Sequence, residues 1–150
     1  MSLSELRERV AKATGPDREL DGLIEQALGM LPSDAYWSTN NVYGEIVAHW
    51  ISGGYGAYKY HEPEALTASL DAAIALVEMK LPGWGWCFEK TCAGLCRAVV
   101  WHPLAKMHDW RANAHTPALA LISALLAALE ERAALAGSNA QNLRKATPSH

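Results

Sequence analysis

The sequence predicts an α+β fold in which about four helices surround a small antiparallel sheet of two to four strands. Three observations predict it. Helix-start residues followed by apolar residues three and four apart recur at Ser2, Asp17, Ser69 and Thr116. The stretch GWGWCFEK at 83–90 alternates large aromatics with small or polar residues, which is strand spacing. A second apolar run, Leu95 to His102, follows across Thr91-Cys92-Ala93-Gly94, a connection of hairpin length.

Taken in chain order, Ser2-Leu3-Ser4-Glu5 has capping-box spacing, and Leu3, Leu6, Val10 and Ala13 make a helical stripe that ends near Gly15-Pro16. A second helix starts about Asp17 and carries Leu20, Leu23, Ile24, Ala27 and Leu28 up to Gly29, a natural stop. Residues 31–66 then change character, with Tyr36, Trp37, Tyr43, Trp50, Tyr55, Tyr58 and Tyr60 between Pro32 and Pro63. Here Val42, Ile46, Val47 and Trp50 suit one side of a short helix, and Tyr58 and Tyr60 suit a short strand, a third one for the sheet. Ser69 caps a third helix with Leu70, Ala73, Ile74, Val77 and Leu81 buried and Pro82-Gly83 behind it.

In the strand at 83–90, Trp84, Trp86 and Phe88 share one face and are expected beneath the helices, since each ring removes on the order of 150–250 Å² from water when buried. Residues 103–115 read as a polar connection containing Trp110. Thr116-Pro117 opens a helix running to about Ala136 whose Leu119, Leu121, Ile122, Leu125, Leu126 and Leu129 exceed a single stripe. Such a helix is either central to the core or shared with a second subunit. The chain is thus expected to be one domain over 1–137 with an aromatic insertion at 31–66 and a flexible tail at 138–150.

The bulk composition excludes several functions. With 150 residues, half of them hydrophobic, and a formal net charge of −3, the chain is globular and offers no strong basic field for a nucleic-acid backbone. The first residues lack the apolar run of a signal peptide, the apolar segment 117–129 is too short to span a bilayer, and three cysteines do not suit a secreted disulfide framework. The expectation is a soluble cytoplasmic protein.

Sites of chemistry are sparse. Gly53-Gly54-Tyr55-Gly56 is glycine-rich but lacks the lysine and hydroxyl of a phosphate loop, so no cofactor is expected. Cys87, Cys92, Cys96 and His102 lack the close pair of a zinc knuckle, so no metal is expected either. The enzymatic alternative is a metal-dependent hydrolase using His102, His108 and Asp109, which requires those side chains to converge. The aromatic insertion is the better candidate: Trp37, Tyr43, Trp50, Tyr55, Tyr58, Lys59 and Tyr60 could stack on a planar, nucleotide-like ligand, at roughly 1–3 kcal/mol per stacked base.

Four words occur in order: DRELDGLIEQALG at 17–29, TASLDAAIALV at 67–77, GWGWCFEK at 83–90 and HTPALALISALLAALEERA at 115–133. Together they resemble the phage α-β-α (ABA) sandwich domain family of small bacteriophage and prophage proteins, over residues 14–136. The resemblance implies α-β-α layering and a phage or prophage origin, and it supplies no catalytic residues. The functional expectation is an accessory protein that binds rather than catalyses, antagonising a host defence system by holding a small nucleotide-like ligand or by blocking a host protein. A structural or assembly role as a homo-oligomer joined through the 116–136 helix is the other alternative.

Overall fold

A computed structural model describes residues 1–31, 35–40, 45–52, 57–91, 93–104 and 108–146. The elements are α1 (Leu3–Lys12), α2 (Arg18–Ala27), β1 (Tyr36–Asn40), β2 (Glu45–Ser52), β3 (Ala57–His61), α3 (Leu70–Lys80), β4 (Gly85–Lys90), β5 (Cys96–Trp101), β6 (Asp109–Ala114) and α4 (Pro117–Ala146). The fold is α+β, and its strands are divided between two three-stranded antiparallel sheets, β1-β2-β3 and β4-β5-β6.

Each predicted helix start is present with its cap. The Ser2 amide donates to Glu5 Oε2 at 2.8 Å and the Glu5 amide donates to Ser2 Oγ at 3.2 Å, which closes the capping box of α1. Asp17 Oδ1 accepts from the Leu20 amide, Ser69 Oγ from Ala72 and Thr116 Oγ1 from Leu119, at 3.1, 3.2 and 3.2 Å. Each cap satisfies an amide that the first turn of a helix leaves without a partner, so these starts are set by residues only three apart. Gly29 and Gly83 take positive φ after α2 and α3, the left-handed backbone that stops a helix.

The expected helix over Val42, Ile46, Val47 and Trp50 is not formed where the chain is described. Residues 45–52 are strand β2, the centre of the first sheet, with Trp37 opposite Ala48 and Ala48 opposite His61. Apolar residues spaced three and four apart suit a helix locally, but the ladders to β1 and β3 decide the conformation. The expected strand at Tyr58 and Tyr60 is β3. The polar connection expected over 103–115 is also corrected, because 109–114 form β6, pairing Trp110 with Val100 and Ala112 with Ala98.

Helix α4 lies at the centre of the molecule. Leu119, Leu121, Ile122, Leu125 and Leu126 are fully buried inside this one chain, packed against α1, α3, β5 and β6. The surplus of apolar residues therefore belongs to the core, and the stretch 118–126 has no free apolar face to offer a second subunit. The helix also continues to Ala146, ten residues beyond the predicted Ala136. Small residues line the sheet where α4 crosses it: Ala98 and Ala114 are buried and Ala112 and Cys96 pack beside them, which lets helix and sheet approach closely.

The three rings of β4 are distributed unevenly. Trp84 and Trp86 are half-buried against the core, but Phe88 remains 38% exposed, stacked parallel to Trp86 at 6.0 Å between ring centroids. The expectation that all three lie beneath helices fails at Phe88 because β4 is an edge strand and α4 passes mainly over β5 and β6. Among the described residues, no helix is long and apolar enough to cross a membrane.

Candidate functional site

Asp17 is the N-cap of helix α2, and Asp21 and Glu25, four residues apart within it, stand on one ridge beside its apolar stripe. That ridge faces the segment His61–Thr67. Thr67 Oγ1 accepts from the Asp17 amide at 2.8 Å and donates to the Asp17 carbonyl at 3.2 Å. The Thr67 amide donates to Asp21 Oδ1 at 2.7 Å, and Arg18 reaches both Asp21 Oδ2 at 2.8 Å and the Pro63 carbonyl at 2.6 Å. Asp21 is fully buried, and these donors replace the water it lost. The result is a clamp that fixes the end of the first sheet onto α2.

Glu25, one turn further, is also fully buried. Its Oε1 accepts from the Glu64 amide at 2.8 Å and its Oε2 lies 2.9 Å from His61 Nε2. The Glu25 carboxyl and the imidazole thus share one hydrogen bond at Nε2, and Nδ1 is the other polar atom of the ring. This pair forms the polar end of a cavity of about 380 Å³ whose remaining wall includes Met30, Leu66, Ala72, Ala75, Leu76 and Met79. A mostly apolar hollow of this size with a few convergent polar groups is the usual form of a small-molecule site. Two methionines in the wall add adaptability, because an unbranched thioether can repack around different shapes.

Of the sequence-predicted binding residues, Trp37 is packed on α2. Its ring lies against Gly22, where an added Cβ would come within 3.0 Å of the indole, and its Nε1 donates to Gln26 Oε1 at 3.0 Å. That ring fastens the first sheet to α2 and does not line the cavity. Trp50 stands in β2 opposite Lys59 of β3, two residues along from the Ala48 and His61 pair, while Tyr58 and Tyr60 alternate with Lys59 in the same strand. The side chains at 50, 58, 59 and 60 lie outside the described residues, as do Tyr43 and Tyr55 altogether. The structure instead brings forward Glu25, His61 and Glu64. A sequence signal existed for Glu25 alone: acidic residues at 17, 21 and 25 border the apolar stripe of a helix, a place where buried carboxylates require partners from elsewhere in the chain.

The residues of the hydrolase alternative are not brought together. His102 meets Trp84 edge-on at 5.2 Å, and its Nδ1 accepts from the Leu104 amide. His108 meets Trp110 edge-on at 4.5 Å and lies 3.2 Å from a Glu131 carboxylate oxygen. Asp109 is engaged by Arg111 through both carboxylate oxygens, at 3.2 and 3.1 Å, which holds its carboxyl below the usual range. Glu131 is likewise held below the ordinary glutamate value, first by the Trp110 indole N–H and then by His108. Cys87 and Cys96 stand at positions of opposite parity on neighbouring strands, hence on opposite faces of the sheet. Among the described residues no group of three or more His, Cys, Asp or Glu side chains is placed to hold a metal ion.

Comparison with protein-family models, with curated proteins and with solved structures gives no match for this chain.

Proposed function

We propose that the protein acts by binding and not by catalysis, capturing a small molecule in the cavity headed by Glu25 and His61. The observation that carries this reading is a mostly apolar hollow of about 380 Å³ whose lining includes His61 and Glu64, with His61 held by the fully buried Glu25. Its described lining has Glu25, Glu64 and His61 as ionisable groups and no lysine or arginine. Such a lining favours a ligand that presents hydrogen-bond donors or a positive charge, for example the amino edge of a nucleobase or an amine on an apolar body. Phosphate groups of a nucleotide-like ligand would have to point outward, away from Glu25. No nucleophilic hydroxyl or thiol lines the described cavity beside His61, and that supports binding over covalent catalysis. On the resemblance to small phage and prophage proteins, the captured molecule would be a host signal and capture would antagonise a host system.

The test is calorimetric titration with nucleosides, nucleotides and aromatic amines. Binding of a donor-bearing member is expected, and it should be lost in Ala75→Trp, where an exposed residue of the wall gains a ring that fills the mouth. Ligands that bind the Ala75→Trp protein as well as the wild type would show that the cavity is not the site.

A further inference from the structure

The outer edge of β4 is unpaired among the described residues and lies apart from the cavity lining. β4 is the first strand of its sheet, and no other strand among the described residues pairs with its far side. The Thr91 amide donates to the Leu95 carbonyl at 2.8 Å, and Lys90 stands opposite Cys96, so Thr91 and Leu95 face each other as a hydrogen-bonded pair. Antiparallel ladders alternate hydrogen-bonded and open pairs. Glu89, Cys87 and Gly85 therefore direct their amides and carbonyls to β5, whereas Trp86, Phe88 and Lys90 direct theirs away from it, to the free edge.

We infer that this edge pairs with the same strand of a second copy of the chain, antiparallel, with Phe88 on the two-fold axis. Only registers that set even-numbered residues against even-numbered residues match free donors with free acceptors. With Phe88 on the axis, Phe88 meets its counterpart and Trp86 meets the other copy's Lys90 twice over, so about six new backbone hydrogen bonds form without using any residue outside β4. The charges are complementary in this register: each Lys90 ammonium lies across the dyad from an indole, a cation–π arrangement, and each Glu89 faces a cysteine and no like charge. Phe88, 38% exposed and already stacked on Trp86, loses its remaining water contact to its own copy. The two three-stranded sheets become one continuous sheet, which removes the exposed edge that a lone β4 presents. A strand pair of this length is at the small end of specific interfaces, which begin near about 1,200 Å² of total burial, so the dimer is concentration-dependent, with dissociation in the micromolar range.

Sedimentation equilibrium from low micromolar to millimolar protein tests this on the full chain. A reversible monomer–dimer equilibrium is expected. Phe88→Pro deletes the amide on the axis but no β4–β5 hydrogen bond, and should give a folded monomer. Lys90→Gln should weaken association by roughly 5- to 30-fold, the loss of two cation–π contacts. Glu89→Cys places a thiol opposite the other copy's Cys87 in an open pair, where side chains approach most closely, and mild oxidation should then give disulfide-linked dimers absent from Cys87→Ala/Glu89→Cys. A wild type that stays monomeric at millimolar concentration overturns the inference. So does a Phe88→Pro protein that dimerises like the wild type, or a Glu89→Cys dimer that fails to cross-link.

Discussion

The indole of Trp101 occupies the space in which a side chain at residue 85 would stand. Gly85 and Trp101 are opposite each other across β4 and β5, so the ring of one strand covers the bare backbone of the other. This accounts for the glycine in Trp84-Gly85-Trp86: the two tryptophans face inward, and the third ring, from β5, lies over the gap between them on the outer face.

Gly85→Ala should therefore displace the Trp101 ring and destabilise the protein by about 1–3 kcal/mol, the usual penalty for overpacking. In a Trp101→Ala background the same substitution should cost much less, because the space is then empty. Urea denaturation of the four proteins of this double-mutant cycle checks the coupling. Additive effects would mean that the ring moves away freely.

His61→Ala removes one of the two donors to the buried Glu25 carboxylate. The expected loss is about 1–3 kcal/mol, the range for leaving a buried polar group short of a partner, and His61→Gln should recover part of it if its amide reaches Oε2. Thermal unfolding of the three proteins decides between a stabilising pair and an idle one.

Thr67→Val deletes a hydroxyl that both accepts from and donates to the backbone of Asp17 at the start of α2. A cost of about 1–2 kcal/mol is expected, with hydrogen exchange accelerating at the first turn of α2 before it does in α4. Equal acceleration throughout would place the effect in global stability and not in the clamp.

Glu131 gives a pH dependence whose direction can be worked out. Its carboxyl titrates lower in the folded chain than in the unfolded one, because the charged form accepts from Trp110 and faces His108. The unfolded state therefore binds more protons in that window, and the stabilisation is fully present above the ordinary glutamate value and is lost as the pH falls through the folded one. Wild type should be more stable than Glu131→Gln at pH 6, with the difference vanishing in the acid limit. Denaturation midpoints at pH 6 and across the range of about pH 2–5 measure this. Trp110→Phe, which removes the larger cause, should narrow the difference at pH 6.

The helix starts and the β4–β5 hairpin were legible because their causes are local. Ser2 with Glu5, Asp17 with Leu20, Ser69 with Ala72 and Thr116 with Leu119 interact within one turn, and the alternation of 83–90 needs no knowledge of its neighbours. β6 also alternates, as Asp109-Trp110-Arg111-Ala112-Asn113-Ala114, but two of its three inward positions are alanines, which carry little strand signal until α4 is seen to need the room. The site was less legible. Glu25 and His61 are 36 residues apart, and nothing within a helical turn of either announces the other.

From its own pattern of caps, glycines and alternating rings, then, the chain determines four helices, a Gly-Trp hairpin and the α+β class. Tertiary structure alone decided that 45–52 is a strand, that α4 is the shared core of the molecule and that an acidic ridge on α2 meets a histidine at the end of β3. The physical reason is range: a cap is satisfied by its third neighbour, whereas a ladder, a packed helix face and a buried carboxylate are each satisfied by residues the chain must fold to reach.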